Sequence, residues 1–197
     1  MEEKKETTKD IILERALTLF AEQGYNGVGV NEIARAAGVT KPTLYYYFKN
    51  KEGVYRAVWE KYFVIFYAEL KKIAVYEPHP DEYMKDIYPV LKRITDWYIT
   101  FKNTYPLFYK LMTSQVFAPH DLPTTKIAQY YYTAQYKVYE KLFTDMSKTH
   151  EKLVGKEKHL GVGFLSLLNG YMNLPAGIKV DNVAVCIVRH FMHGMMV

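Results

Sequence analysis

The sequence predicts an all-helical fold of about nine helices, three of them in a small N-terminal head and the rest in a larger antiparallel body. No useful stretch of the 197 residues alternates apolar and polar residues with the two-residue period of a strand. Apolar residues instead recur three and four positions apart, as on one face of a helix. Glycine, proline and hydroxyl residues occur at the positions where helices begin and end.

The first predicted helix begins after Thr7. Asp10, three residues later, completes a capping-box pattern in which each side chain bonds the other's backbone amide. Gly24 can end this helix as a C-terminal cap. Four apolar residues form its inward stripe: Ile12, Ala16, Leu19 and Phe20.

Two short helices follow in the prediction. Gly29 is placed as N-cap of the second helix, with Glu32 at its third position, and Gly38 closes it. Thr40 caps the third helix, and Pro42 stands in the first turn, where its missing amide hydrogen costs nothing. Two short helices separated by a tight turn match a helix-turn-helix unit, whose second helix enters the major groove of DNA.

The third predicted helix has a core side and an outer side. Leu44 and Phe48 are four residues apart, so both point the same way. If they face the core, the outer and leading surfaces carry Lys41, Pro42, Thr43, Tyr45 and Tyr46.

These outer residue types suit DNA. Lysine can donate to guanine, threonine to a base edge or phosphate, and proline and a tyrosine ring can pack on a thymine methyl. The hydroxyl of Tyr46 can reach a phosphate, and Lys51 stands at the start of the fourth helix, where the helix dipole also favours phosphate. For Tyr47, nearest the core side, an ordinary half-buried aromatic is the alternative.

The run GYNGVGVNEIARAAGVTKPTLYYYFKNK, residues 24–51, resembles the DNA-binding head of the TetR family of bacterial regulators. The resemblance implies that Thr43, Tyr45, Tyr46, Tyr47 and Lys51 contact DNA, while Lys41 and Pro42 contribute to sequence choice. That family usually has a hydroxyl residue where this chain has Gly29, which implies one weaker contact with the DNA phosphate backbone. The matching features are Gly24-Tyr25, Ile33-Ala34, Ala37-Gly38-Val39, Thr43-Leu44-Tyr45 and Tyr47-Phe48 with Lys49, Asn50 and Lys51.

The fourth helix spans the predicted boundary between residues 1–52, the DNA-binding domain, and residues 53–197, the ligand-binding and dimerisation domain. We expect Asn50 to cap it and the helix to run to about Tyr76. Pro89 should kink or divide the next helix. A loop is expected over 117–123, and the remaining helices over roughly 81–103, 105–116, 123–149, 156–174 and 181–195.

The resemblance implies a divergent helical body, so its residues have to be interpreted directly. The stretch 161–170 and the last helix are apolar on more than one face, which predicts a two-fold homodimer through a four-helix bundle. A monomer with an internal hairpin is the alternative. Aromatic residues and a methionine on the middle helices are candidates for contacts with an amphipathic, planar or cationic organic effector, or are simply core. They are Phe66, Trp97, Phe101, Phe108, Tyr109, Met112, Tyr132, Tyr136, Phe143 and Phe164.

Composition favours a cytoplasmic protein without a cofactor. The formal charge of +5 is mild, no apolar run is long enough for a membrane span, and the single cysteine, Cys186, allows no internal disulfide. His190 and His193 have ligand-like spacing without a third ligand, so no metal site is expected. The absence of a nucleophile motif, a phosphate loop or paired carboxylates argues against an enzyme.

Together these features predict a homodimeric repressor that binds a near-palindromic operator in double-stranded DNA and leaves it when a small organic effector binds. The first alternative is a DNA-binding adaptor whose body binds a protein partner. A sequence-independent DNA-packaging protein and a small-molecule enzyme rank lower. The effector, the operator and the sign of regulation are not specified by the sequence.

Overall fold

A computed structural model describes residues 7–79, 83–116, 118–119, 122–175 and 177–195. The described residues form α-helices joined by short turns, with one 3-10 turn at Glu151–Leu153 and no strand, which confirms the predicted all-helical fold. The helices are α1 (Thr8–Gly27), α2 (Val30–Ala36), α3 (Lys41–Phe48), α4 (Lys51–Ile73), α5 (Tyr83–Thr104), α6 (Pro106–Ser114), α7 (Pro123–Ser147), α8 (Glu157–Met172) and α9 (Val183–Met195).

The chain divides into two compact units. The first comprises Met1–Ile65 and Tyr105–Gln129, and the second comprises Phe66–Thr104 and Tyr130–Val197. In the first unit α1 packs against both α2 and α6. In the second unit α9 packs against α5 and α8.

The capping box at the start of α1 forms as predicted. The Asp10 amide donates to Thr7 Oγ1 at 3.2 Å, and the Thr7 amide donates to Asp10 Oδ2 at 3.4 Å. Asp10 also accepts a hydrogen bond from Lys61 Nζ at 2.9 Å, so the same carboxylate ties α1 to α4. Gly24, with φ of +72°, interrupts the helix, and one further turn carries it to Gly27. Gly24 therefore marks a break, three residues before the helix ends.

Aromatic rings form the core of the first unit. Phe20 of α1 packs edge-on against Tyr55 of α4, with ring centres 5.2 Å apart. Trp59, one turn further along α4, meets Phe108 of α6 at 5.5 Å. All four side chains are at most 1% exposed. Burial of such rings, each worth several kcal/mol of hydrophobic free energy, holds α1, α4 and α6 together.

Helix α4 ends at Ile73, three residues before the predicted end near Tyr76. Arg93 of α5 explains the early stop, because its guanidinium donates to the Ile73 carbonyl at 3.0 Å and to the Val75 carbonyl at 2.7 Å. Carbonyls at a helix end need such donors once no further turn follows. The prediction was wrong because this donor lies twenty residues further along the chain.

Pro89 lies inside α5 and does not divide it, so of the two predicted outcomes a kink stays a prediction. Proline removes one backbone donor, a loss that packing on both sides of the helix can offset. Ile87, Val90 and Leu91 next to it are all buried. Of the predicted loop 117–123, residues 117, 120 and 121 lie outside the described residues, and Pro123 already begins α7.

Helices α8 and α9 pack through aromatic side chains. Phe164 of α8 and Phe191 of α9 have ring centres 5.1 Å apart, and both rings also meet Phe143 of α7. The last helix is less uniformly apolar than expected, since Arg189, His190 and His193 are exposed on its other face. The exposed face of α9 is therefore polar. No helix within the described ranges is both long and apolar enough to cross a membrane.

Asp86 at the start of α5 is a buried carboxylate with three donors. The His79 amide donates to Oδ1 and the Tyr76 hydroxyl to Oδ2, each at 2.7 Å, and His150 Nε2 also contacts Oδ2. Burial acts to raise the pKa of Asp86, but these hydrogen bonds outweigh it and hold the pKa below its usual value. Burial and the bond to Asp86 raise the pKa of Tyr76 to about 12. The cluster ties the end of α4 to α5 and to the turn after α7.

Candidate nucleic-acid interface

Helix α3 begins and is anchored as the sequence predicts. Thr40 Oγ1 accepts a hydrogen bond from the Thr43 amide at 3.3 Å, and the Thr43 hydroxyl lies 2.8 Å from it. Leu44 is fully buried and Phe48 is 6% exposed, so both face the core. The preceding turn passes through Gly38 with φ of +66°, a conformation that favours glycine. The opposite side of α3 therefore faces solvent.

The solvent side of α3 carries three consecutive tyrosines. Tyr46 is 83% exposed, while Tyr45 and Tyr47 are 38% and 39% exposed. The rings of Tyr46 and Tyr47 meet edge-on with centres 5.2 Å apart. Lys41 and Pro42 are exposed in the first turn, and Thr43 is half-buried. These predicted contact residues form one continuous surface, which we call the α3 surface: Lys41, Pro42, Thr43, Tyr45, Tyr46 and Tyr47.

The α3 surface combines the chemistry that DNA recognition needs. The ammonium of Lys41 lies 5.7 Å from the centre of the Tyr45 ring, which places a cation beside a flat apolar face. A lysine can read guanine acceptors, and a ring can pack on a thymine methyl. The hydroxyl of Tyr46 reaches outward, where a phosphate oxygen can accept from it. Three neighbouring aromatic rings that are exposed to solvent contribute little to folding and are available to a binding partner.

Lys51, the remaining predicted DNA contact, has a second use. Its Nζ donates to the Tyr25 carbonyl at 3.0 Å and to the Val28 carbonyl at 3.1 Å, and it lies 4.2 Å above the Tyr25 ring. These bonds hold the α1–α2 linker against the start of α4. An ammonium has three donors, so one remains for a phosphate, and the DNA contact of Lys51 stays a prediction. Nothing in the local sequence indicates this linkage, because the partners are more than twenty residues apart.

The junction between α3 and α4 depends on a residue that sequence reasoning missed. Asn50 caps α4 as predicted, its Oδ1 accepting from the Gly53 amide at 2.7 Å. A Cβ atom at Gly53 would lie 2.0 Å from the Phe48 carbonyl oxygen. Only glycine fits this close approach, so Gly53 sets how α3 meets α4. A glycine directly after a capping residue in the first turn of a helix is the signal that could have found it.

Gly29 caps α2 as expected, with half of a capping box. The Glu32 carboxylate accepts from the Gly29 amide at 3.4 Å, while glycine has no side-chain oxygen to return a bond. A Cβ at this position would meet nothing within 4 Å, and φ is −95°, so a hydroxyl residue would fit. The departure noted in the sequence is therefore not imposed by crowding.

The ten predicted ligand contacts do not fall in one group. Phe108, Tyr109 and Met112 are buried on α6 in the first unit. In the second unit Phe66, Trp97 and Phe101 pack together with ring centres 5.0–5.4 Å apart. The other four residues also belong to the second unit: Tyr132, Tyr136, Phe143 and Phe164.

A buried hydroxyl pair connects the aromatic groups of the second unit. Tyr139 Oη donates to Tyr98 Oη at 2.6 Å, and Gln135 Nε2 donates to the same oxygen. Tyr98 meets Phe66 edge-on, and Tyr139 meets Phe164. The predicted residues thus form packed core around a polar centre, and their contact with a ligand stays a prediction.

A family model for bacterial regulatory proteins of the tetR family matches residues 12–58, which include α2, α3 and the junction with α4. Residues 12–58 are therefore a head of the TetR type. The model covers the helices that carry the α3 surface, as the resemblance implied.

Curated relatives with more than 40% identity match this chain over short stretches. The biofilm operon icaADBC HTH-type negative transcriptional regulator IcaR of Staphylococcus epidermidis is 41% identical over 58 residues, covering 29% of this chain and 31% of that protein. The match therefore spans less than a third of that relative's length.

Solved structures extend the likeness to the whole fold. A TetR-like transcriptional regulator from Rhodococcus sp. RHA1 has a TM-score of 0.75 at 16% identity and covers 99% of each chain. AibR, solved with isovaleryl coenzyme A and operator DNA, has a TM-score of 0.69 at 18% identity, covering 93% of this chain and 97% of its own. At such identities the likeness describes the fold alone.

Proposed function

We propose that this chain is a homodimeric repressor whose two heads bind a near-palindromic operator and release it when a small organic effector binds. The observation that carries the proposal is the α3 surface, a continuous run of lysine, proline, threonine and tyrosine side chains facing solvent. Residues 1–52 act in this proposal as the DNA-binding domain, and residues 53–197 as the ligand-binding and dimerisation domain. The contacts are Lys41, Pro42, Thr43, Tyr45, Tyr46 and Tyr47, with Lys51 on a flanking phosphate.

A relative supports repression as the direction of regulation. The IcaR protein of Staphylococcus epidermidis, which is similar to this chain over 58 residues, is named a negative transcriptional regulator. A repressor blocks transcription by occupying its site, so tight operator binding in the ligand-free state is expected of this chain. The proposal places that activity in the cytoplasm, where the DNA is.

Dimerisation through α8 and α9 is part of the proposal. Val162 of α8 is 52% exposed, and Leu165 and Leu167 on the same helix are partly exposed, while Phe164 and Leu168 are buried against neighbours. Apolar side chains on the outer side of α8 would be covered by the same helices of a second copy in a four-helix bundle. Two heads would then reach half-sites one DNA turn, about 34 Å, apart.

Effector control requires unequal binding to two states. A ligand that binds the DNA-competent and the released state equally shifts nothing, however tight it is. AibR, a structural neighbour, was solved with both isovaleryl coenzyme A and operator DNA, so the same fold accommodates a small ligand and DNA in that protein. For this chain the effector is proposed to bind within residues 53–197.

The test of this function starts from a duplex that the full chain selects out of a random DNA pool. We expect two inverted half-sites in the selected sequence, and light scattering should give the molar mass of a dimer bound to the duplex. Tyr45→Ala should lower the affinity for this duplex by about tenfold or more. A selected sequence without inverted repeats, or equal binding to scrambled duplex, would contradict the proposal.

The adaptor alternative is favoured by one observation. Phe66, Phe143 and Phe164 are fully buried and pack on other rings, as in an ordinary core. A body that binds a protein partner would need no internal ligand site. Operator binding that persists with every small ligand tested, together with a protein captured by wild type and lost on substitution of exposed body residues, would favour the adaptor.

An enzyme is a weaker candidate despite the Asp86 cluster. Both carboxylate oxygens of Asp86 are occupied by protein donors, and its side chain is fully buried. A general base must lie within hydrogen-bond reach of the substrate, and full burial keeps a substrate away from this carboxylate. The cluster therefore serves to anchor the end of α4.

A further inference from the structure

A cleft of about 440 Å³ opens in the second unit between the end of α4 and the middle of α7. Its size falls within the range of small-molecule sites. None of the ten aromatic and methionine candidates lines it. We call it the lysine cleft, and it is lined by Tyr67, Lys71, Ala74, Val75, Tyr76, Lys137, Val138, Lys141 and Asp145.

The lysine cleft is positively charged. Three lysines line it against one carboxylate, Asp145. That carboxylate is already paired with Lys141 inside the cleft and with Lys148 outside it. Partial burial acts to raise the pKa of Asp145, but hydrogen bonds from these two lysines outweigh it and hold the pKa below its usual value. Asp145 is therefore ionised and already neutralised by two cations.

Two ammonium groups of the cleft remain without a carboxylate. Lys71 and Lys137 are exposed, and among the described residues none of the ion pairs involves either of them. Lys71 lies over the Tyr67 ring, 5.4 Å from its centre. The partial negative charge at the C-terminal end of α4 would repel an anion here. The Arg93 guanidinium offsets this charge, because it donates hydrogen bonds to the Ile73 and Val75 carbonyls.

The rest of the lining is apolar or aromatic. Val75 is 49% exposed, an unusual position for valine beside two lysines, and Ala74 and Val138 add aliphatic surface. The Tyr76 hydroxyl is committed to Asp86 and His150, so this residue offers mainly its ring to the cleft. An apolar floor with two unpaired cations at its rim is complementary to a molecule with a flat or aliphatic body and an anionic end.

We propose that the lysine cleft binds an amphipathic organic anion, in which a carboxylate, sulfonate or phosphate ester meets Lys71 and Lys137 and an apolar or aromatic group packs on Val75 and Val138. Identifying this anion with the effector rests on the proposed function. The binding site itself does not depend on DNA release.

The probe is 1-anilinonaphthalene-8-sulfonate, and N-phenyl-1-naphthylamine, the same rings without the sulfonate, is its neutral match. Fluorescence titrations use the full chain and the variant Lys71→Gln/Lys137→Gln. The control is Lys152→Gln/Lys179→Gln, which removes two exposed lysines of the same unit away from the cleft. Thermal melts verify that all three proteins are equally folded.

We expect the cleft variant to bind the sulfonate about tenfold more weakly than wild type, since each ion pair contributes up to about threefold to fivefold. The control should change its affinity less than twofold, and neither variant should change binding of the neutral probe. Wild-type affinity for the sulfonate should fall as salt screens the lysines, and that dependence should be reduced in the cleft variant. Methyl resonances of Ala74, Val75 and Val138 should shift on titration with the sulfonate.

Equal loss in the cleft and control variants, no loss in either, or methyl shifts confined to other residues would overturn the site. The selected duplex supplies a separate measurement. Release of DNA as the sulfonate saturates the cleft supports its identification as the effector site. Retention of DNA at saturation overturns that identification while the binding site stands, and failure to bind any selected duplex would instead contradict the proposed function.

Discussion

Two groups of tyrosines in this chain have opposite surroundings. Tyr45, Tyr46 and Tyr47 lie in water on α3, whereas Tyr98 and Tyr139 are fully buried in the second unit and share a hydrogen bond. A buried hydroxyl needs a hydrogen-bond partner within the protein, whereas an exposed hydroxyl can bond to water or to a bound molecule. The same residue type therefore stabilises the second unit and, as we propose, recognises DNA on α3.

The largest expected effect belongs to the buried group. Phe164→Ala removes a fully buried ring that meets Tyr139, Phe143 and Phe191. We expect the free energy of unfolding to fall by about 3–5 kcal/mol, from lost transfer energy and the cavity left behind. Urea denaturation measures it. A loss below about 1 kcal/mol would mean that this core does not hold the body together.

A substitution at the head's own packing should come next. Gly53→Ala places a Cβ 2.0 Å from the Phe48 carbonyl, so α3 and α4 must separate. We expect a loss of stability of about 3 kcal/mol, typical of severe overpacking, together with weaker DNA binding. Denaturation and DNA titration test both. The matched control is Gly29→Ala, where a Cβ meets nothing within 4 Å.

Lys51 both stabilises the fold and is predicted to contact DNA. Lys51→Ala leaves the Tyr25 and Val28 carbonyls without their donor, which should cost about 1–3 kcal/mol of stability. If the third N–H of the Lys51 ammonium donates to a DNA phosphate, Lys51→Ala should weaken DNA binding more than its loss of stability alone explains. The dependence of binding on salt distinguishes these roles, because losing a phosphate contact reduces its slope by about one. An unchanged slope assigns Lys51 to the linker alone.

The smallest effect is expected from pH. Hydrogen bonds from Thr7 and Lys61 lower the pKa of Asp10 to about 2 from its usual value of 3.8. A lowered pKa stabilises the folded state above the unfolded pKa, and the contribution is lost as pH falls from about 4 to about 2. Because this carboxylate is partly exposed, we expect about 1 kcal/mol after screening. Asp10→Asn should flatten the unfolding free energy over that pH range, and an unchanged pH profile would contradict the assignment.

Local chemistry predicted the head well. Thr7, Thr40 and Asn50 cap their helices as expected, because a cap and its amide lie within three residues of each other. Spacing alone also placed Leu44 and Phe48 inside.

Distant contacts decided what sequence reasoning missed. The early end of α4 depends on Arg93, and the inward bonds of Lys51 depend on a linker more than twenty residues away. The aromatic candidates fell into different units because a helical stripe shows that a residue is buried without showing which helices bury it. The lysine cleft was missed for the same reason, since its lysines come from α4 and α7.

The most direct test of the α3 surface compares two exposed tyrosines. Tyr46 is 83% exposed and meets Tyr47 edge-on at 5.2 Å, and Tyr130 on α7 is 74% exposed and meets Tyr131 edge-on at the same distance. Affinity for the selected duplex is measured by fluorescence anisotropy for Tyr46→Ala and Tyr130→Ala, beside thermal melts. We expect about a tenfold or greater loss for Tyr46→Ala, less than a twofold change for Tyr130→Ala, and stability within about 0.5 kcal/mol of wild type for both. Equal affinities for the two variants would contradict the claim that the α3 surface reads DNA.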